Sequence, residues 1–213
     1  MPAARRRCRV LVTCAFVLAC FAVTSLVRAQ DKPPAPPTTA PTAKPTQDQL
    51  LAAFLKYGRP GPEHKMLKRL VGKFDAEMTT FIDGQPAAKT AASSTNAMIH
   101  KGRYLHGDFT GSVMGQPFSG SSLWAFDRAK GKYLNLWIDD MSTAVLVAEG
   151  DADAAGKVIT FIGTERDPVT GQDKKIKSVL TILDEDRHTW EAFETIDGQE
   201  RKMVSIAYTR AAK

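Results

Sequence analysis

Polar and apolar residues alternate along most of the second half of this chain, and the alternation is clearest from Gly102 to Met141. In Arg103–Val113, Leu105, Gly107 and Phe109 fall on one side, and Tyr104, His106, Asp108 and Thr110 on the other. A period of two predicts a strand with unlike faces. Met114-Gly115-Gln116-Pro117 reads as a turn, because Gly accepts positive φ and Pro interrupts a hydrogen-bond ladder. A strand over Ser121–Asp127, a turn through Gly131 and a strand over Tyr133–Asp139 complete the group.

The last of these strands has two distinctive faces. Leu134, Leu136 and Ile138 make one, and Tyr133, Asn135, Trp137 and Asp139 make the other. An antiparallel sheet wetted on one side should carry a plainly charged outer face. One aliphatic face and one aromatic, polar face suit a sheet curled around a lined cavity.

The same pattern continues on both sides. Strands are predicted at Phe74–Ile82, Ala88–His100, Thr143–Gly150, Val158–Thr164, Ile176–Leu183, Thr189–Ile196 and Gln199–Thr209. Asp83-Gly84 and Asp197-Gly198 are two-residue hairpin signals. In the last hairpin, pairing Ile196 with Gln199 sets Glu194 opposite Arg201 and Trp190 opposite Ser205. Short turns between about ten strands predict an antiparallel up-and-down meander, and closure into a barrel removes its exposed edges.

Two short helices precede the strands. Leu50, Leu51, Phe54 and Leu55 share a face of Gln47–Tyr57, and Glu63–Val71 follows a Gly- and Pro-rich break. The fold class expected is therefore all-β, a ten-stranded barrel with one or two N-terminal helices, occupying residues 47–213.

The first 29 residues read as a secretory signal. Arg5, Arg6, Arg7 and Arg9 precede the apolar run Val10–Val27, and Val27-Arg28-Ala29 offers a cleavage site. This implies a secreted or periplasmic protein. An alternative is lipidation at Cys20, after Val17-Leu18-Ala19. Residues 30–46 form a proline-rich spacer, with six of the twelve prolines in 31–46.

Removing the signal changes two inferences. Cys8, Cys14 and Cys20 are the only cysteines, so the mature chain has neither disulfide nor thiol chemistry. Five of the 29 basic residues also lie there, and no acidic one does. The remaining 24 basic against 23 acidic residues give no reason to expect a nucleic-acid partner. No stable membrane span is expected after cleavage.

Several motifs together resemble one family. They are Glu63-His64-Lys65-x-Leu67-x-x-Leu70-Val71-Gly72-x-Phe74, Gly102-Arg103-Tyr104-Leu105 and Met114-Gly115-x-Pro117-Phe118-x-Gly120. Phe126-Asp127, Trp137-Ile138-Asp139-x-Met141 and Asp167-Pro168-x-Thr170-Gly171 complete the set. Over Glu63–Arg210 the chain resembles domain-of-unknown-function family 1579, exported bacterial proteins. The resemblance implies a lipocalin-like barrel and brings no catalytic residues.

Candidate chemistry is sparse. There is no nucleophile elbow, phosphate-binding loop or dinucleotide fingerprint. His64 reads as a helix-start residue. Asp151-x-Asp153-x-x-Gly156 lacks the oxygen ligands that a calcium loop needs at Ala155 and Ile162, so it reads as a turn. No metal, cofactor or catalytic residue is assigned.

The expected function is binding of a small apolar or amphipathic molecule. Trp137, Tyr133, Trp124, Phe126, Asn135, His106 and Glu149 are the candidate lining. If Phe126 pairs with Tyr133, the four aromatic rings share a face. One alternative is a cavity enzyme using His106, Asp108 and Glu149 for acid–base work. Another is a structural envelope protein with its aromatic face buried in a homodimer.

Overall fold

The computed structural model describes residues 44–212; the signal and most of the spacer lie outside them. Two helices, α1 (Gln47–Tyr57) and α2 (Pro62–Lys68), precede ten strands. The strands are β1 (Gly72–Ile82), β2 (Gln85–Ile99), β3 (Tyr104–Val113), β4 (Gln116–Asp127) and β5 (Lys132–Asp139). They continue as β6 (Leu146–Ala152), β7 (Val158–Arg166), β8 (Asp173–Ile182), β9 (Arg187–Ile196) and β10 (Gln199–Arg210). Each pairs antiparallel with its sequence neighbours, and β1 pairs with β10, so the sheet closes into a barrel.

Local chemistry fixes the hairpins. Asp83 and Gly84, Met114 and Gly115, and Asp197 and Gly198 all have positive φ, as a two-residue loop matched to strand twist requires. Pro117 lies within β4 rather than in a longer turn, opposite Ser112. It is tolerated because β4 pairs with β5 only from Gly120 onward, which leaves an unpaired edge at Pro117.

The last hairpin keeps the expected Ile196–Gln199 and Glu194–Arg201 pairs. Trp190, however, lies opposite Ile206 and not Ser205, because a bulge between Lys202 and Val204 inserts one residue.

The α1 helix has the predicted span and a Thr46–Gln49 capping box. Its apolar face packs on nothing among the described residues: Phe54 is 75 % exposed. The chain after it is held by Arg103, whose Nε donates to the Gly58 carbonyl at 2.8 Å. Arg128 donates to the carbonyls of Lys56 and Arg59.

The α2 helix closes one end of the barrel. Met66, Leu67 and Leu70 pack on Leu105, Tyr133, Ile159, Phe161, Leu180 and Ile182. At its start the Gly61 N–H donates to His64 Nδ1 at 3.0 Å. The His64 pKa is lowered, mainly by burial, and Glu63 opposes the shift. A neutral ring is what that acceptor role requires.

The junction of α2 with β1 is clamped from the far end of the chain. Arg210 donates to the carbonyls of Val71, Arg69 and Glu185, pairs with Asp186, and lies over the Phe74 ring at 4.7 Å. Gly72, at φ +136°, makes room for it: a Cβ there would sit 2.3 Å from an Arg210 terminal nitrogen.

Leu67 has no exposed surface. Leu67→Ala should destabilise the fold by about 2–5 kcal/mol, the usual range for a buried leucine that leaves a cavity. Urea denaturation checks this; a loss under 1 kcal/mol would mean that α2 does not hold the barrel end.

Candidate functional site

Strand alternation decides which side chains enter the barrel. On β5, Tyr133 and Asn135 are buried at 6 % and 3 % exposure, while Ile138 is 44 % exposed. The aromatic and polar face of β5 therefore points inward, and the aliphatic face points out. Phe126 pairs with Tyr133 and Trp124 with Asn135, so all four rings lie on the inner side.

The interior has two parts. Near α2 it is filled. Toward the opposite end it opens into a cavity of about 440 Å³, floored by Leu70, Leu105 and Leu180. Trp124, Trp137 and Trp190, every tryptophan of the chain, line it. Phe109 stands edge-on to Phe118, Trp137 and Tyr208 with centroids 6.2, 6.3 and 6.4 Å away. Trp124 meets Trp190 at 6.3 Å and Phe161 at 5.4 Å.

Small residues make the space. A Cβ on Gly120 would lie 2.3 Å from the Trp137 ring, so that ring rests on bare backbone. Gly107 is similarly crowded by Asn96 and Ser122.

A few polar groups punctuate the wall. Ser94 Oγ donates to Asn96 Oδ1 at 2.8 Å, and Asn96 Nδ2 donates to the Leu70 carbonyl at 3.0 Å, tying the wall to the floor. Trp124 Nε1 donates to Ser122 Oγ, and Trp137 Nε1 to Asp139 Oδ2, both at 2.8 Å. Asn135 differs: its buried Nδ2 has no partner among the described residues.

His188 stacks on Tyr208 at 4.3 Å and meets the Phe74 ring edge-on at 4.7 Å. Burial, helped by repulsion from Arg210, lowers its pKa to about 4. Burial also raises the Tyr208 hydroxyl, so both are neutral near pH 7. At the filled end, burial and the nearby Glu63 push Tyr133 up to about 12.

Of the residues singled out in the sequence, Trp124, Asn135 and Trp137 line the cavity. Phe126 and Tyr133 face inward but belong to the filled core beside α2, with ring centroids 4.8 Å apart. His106 and Glu149 do not line the cavity. His106 sits on the outer face, 3.7 Å from Asp108, and Glu149 pairs outside with Lys130 at 2.6 Å. Three strand spacings, roughly 14 Å, separate the strands that carry His106 and Glu149. The acid–base trio therefore does not converge.

The aromatic face proposed for a dimer is likewise enclosed. Among the described residues no three His, Cys, Asp or Glu side chains form a metal-binding group, and no helix is long and apolar enough to cross a membrane. Asp153 receives the backbone N–H groups of Lys157 and Val158, which hold its carboxyl below the usual range, as a turn aspartate should.

Sequence reading missed Trp190, His188 and Tyr208. The strands were legible, but which face of β10 enters the barrel depended on the bulge after Lys202.

Fold and site together define a closed antiparallel β-barrel with a partly open, largely apolar cavity. The family described as Protein of unknown function (DUF1579) matches residues 59–210, and the chain belongs to it. No curated protein matches. Among solved structures, the chain is similar to Rv2717c from M. tuberculosis, with TM-score 0.54 and 14 % identity over 72 % of this chain and 100 % of that one. The S-type phycobiliprotein lyase CPES from Guillardia theta gives TM-score 0.48 and 10 % identity over 73 % and 96 %. At such identities the first likeness is one of fold, and the second is weaker.

His188 sets a pH dependence. Its folded pKa lies below the unfolded value near 6.5, so its contribution is complete above pH 6.5 and is lost as pH falls toward 4. The full loss is on the order of 3 kcal/mol. His188→Phe should flatten the fall in unfolding free energy between pH 7 and 4 by about that amount. An unchanged profile would mean that His188 protonates freely in the native state.

Proposed function

We propose that this protein is an exported binding protein that carries a small apolar or amphipathic molecule inside its barrel. The observation that carries this reading is the cavity: about 440 Å³, walled by three tryptophans and bounded below by a packed floor. That size falls within the range of small-molecule sites, about 300–1,000 Å³. The same barrel packs solidly beside α2, so a hollow is not forced by the strand number. Export rests on the sequence before the barrel, the arginines at 5–9 and the apolar run to Val27.

Ligand entry should change the tryptophan emission, since every tryptophan lies on the wall. Titration with a small apolar probe such as cyclohexane should give a saturable shift, and native mass spectrometry of the exported protein should find a co-purified molecule. Ala192→Phe, at a lining position 8 % exposed, should fill the space and abolish the shift. A wild type that neither responds nor carries anything would remove the proposal.

N-terminal sequencing of the mature protein tests export. The expected first residue is Gln30. An acylated Cys20 would identify a lipoprotein, and an intact Met1 in the cytoplasm would refute export.

A further inference from the structure

We propose that the cavity selects an uncharged amphiphile, with a carbonyl or hydroxyl group held by Asn135, and excludes the corresponding carboxylate. This rests on the binding-protein reading and narrows its ligand class.

Charge is the first argument. The residues lining the cavity include no lysine or arginine. Their only formally anionic side chains are Asp139 and Glu165, and neither His188 nor Tyr208 supplies a cation at neutral pH. Asp139 already accepts from Trp137 Nε1 at 2.8 Å and from the Met141 N–H at 3.0 Å. A carboxylate entering this space would give up its hydration, meet no counter-ion and approach two like charges. Barrels that hold anions inside need a cation on the wall, and this one has none among its lining residues.

Hydrogen bonding is the second argument, and it is independent of charge. Ser94, Asn96, Ser122, Trp124 and Trp137 engage their polar groups with one another, with backbone or, for Trp137, with Asp139. Of the lining polar atoms, only Asn135 Nδ2 is fully buried without a partner among the described residues. The residue is 3 % exposed and lines the cavity. A buried donor left unpaired is costly unless something supplies an acceptor. Its β-sheet neighbours are Trp124 on β4 and Ala148 on β6, one large ring and one small residue. A primary amide can turn to offer either N–H or C=O, which suits a ketone or an alcohol alike.

Three probes on the full mature chain test this by tryptophan emission at pH 7.5: 2-octanone, octanoate and cyclohexane. The ketone should bind at least about ten-fold more tightly than the carboxylate, which loses its hydration without a counter-ion. Asn135→Leu should weaken the ketone by about three- to ten-fold, the loss of one hydrogen bond, and leave cyclohexane within about two-fold. The same variant should also melt about 2–6 °C higher without ligand, since it removes an unpaired buried amide. Octanoate binding as tightly as the ketone would overturn the inference, as would a folded Asn135→Leu protein with undiminished ketone affinity. Should that variant not fold, the wild-type ratio of ketone to carboxylate decides alone. If cyclohexane and the ketone both fail to bind, the binding-protein reading itself falls, and this inference falls with it.

Discussion

The pairing of β1 with β10 is the interaction on which the rest of the structure depends. It joins residues about 130 positions apart, from Phe74 with Arg210 to Thr80 with Val204. Without it, the meander would be an open ribbon with two unsatisfied edges and no inside. Arg210 does more than end the last strand. Its guanidinium reaches two carbonyls of the α2–β1 junction and covers Phe74, so the seam and the end plug are fastened by one side chain. Gly72 is required there for space as well as for its backbone angle.

Closure alone does not make a hollow. Beside α2 the barrel is filled by leucines, isoleucines and aromatic rings in ordinary core packing. Farther along, the inward positions of β2, β3 and β4 become small: Ser94, Gly107 and Ser122. The facing positions stay large, with Trp137, Trp190 and Tyr208. Small residues opposite bulky rings on a curved wall leave space that the rings line but do not fill. The hollow is thus written into side-chain size.

Much of this was legible in the sequence, and the illegible part has a physical cause. Ten strands, their hairpins, both helices and the common face of Trp124, Phe126, Tyr133 and Trp137 follow from alternation and turn chemistry. Depth along the barrel axis does not. Nothing local distinguishes Tyr133, beneath α2, from Trp137, four residues on, at the cavity wall. Nor does local pattern say that His106 and Glu149 stand outside: that depends on which face of each strand is concave, a property of the closed sheet. The bulge after Lys202 hid Tyr208 and the inward run of β10 for the same reason, since one inserted residue reverses every later orientation.

The face of β5 inverts the usual rule for a half-buried strand. Leu134, Leu136 and Ile138 face outward, while Asn135 and Asp139 face in. For stability alone, the better arrangement would bury the leucines and expose the amide and carboxylate. A strand that does the opposite gives up apolar burial to place hydrogen-bonding groups inside a barrel. Asp139 recovers part of that cost through Trp137 and Met141, and Asn135 recovers none through its Nδ2. A buried group with an unmet bond, on the wall of a space that packing could have filled, is better understood by what it can hold than by what it adds to the fold.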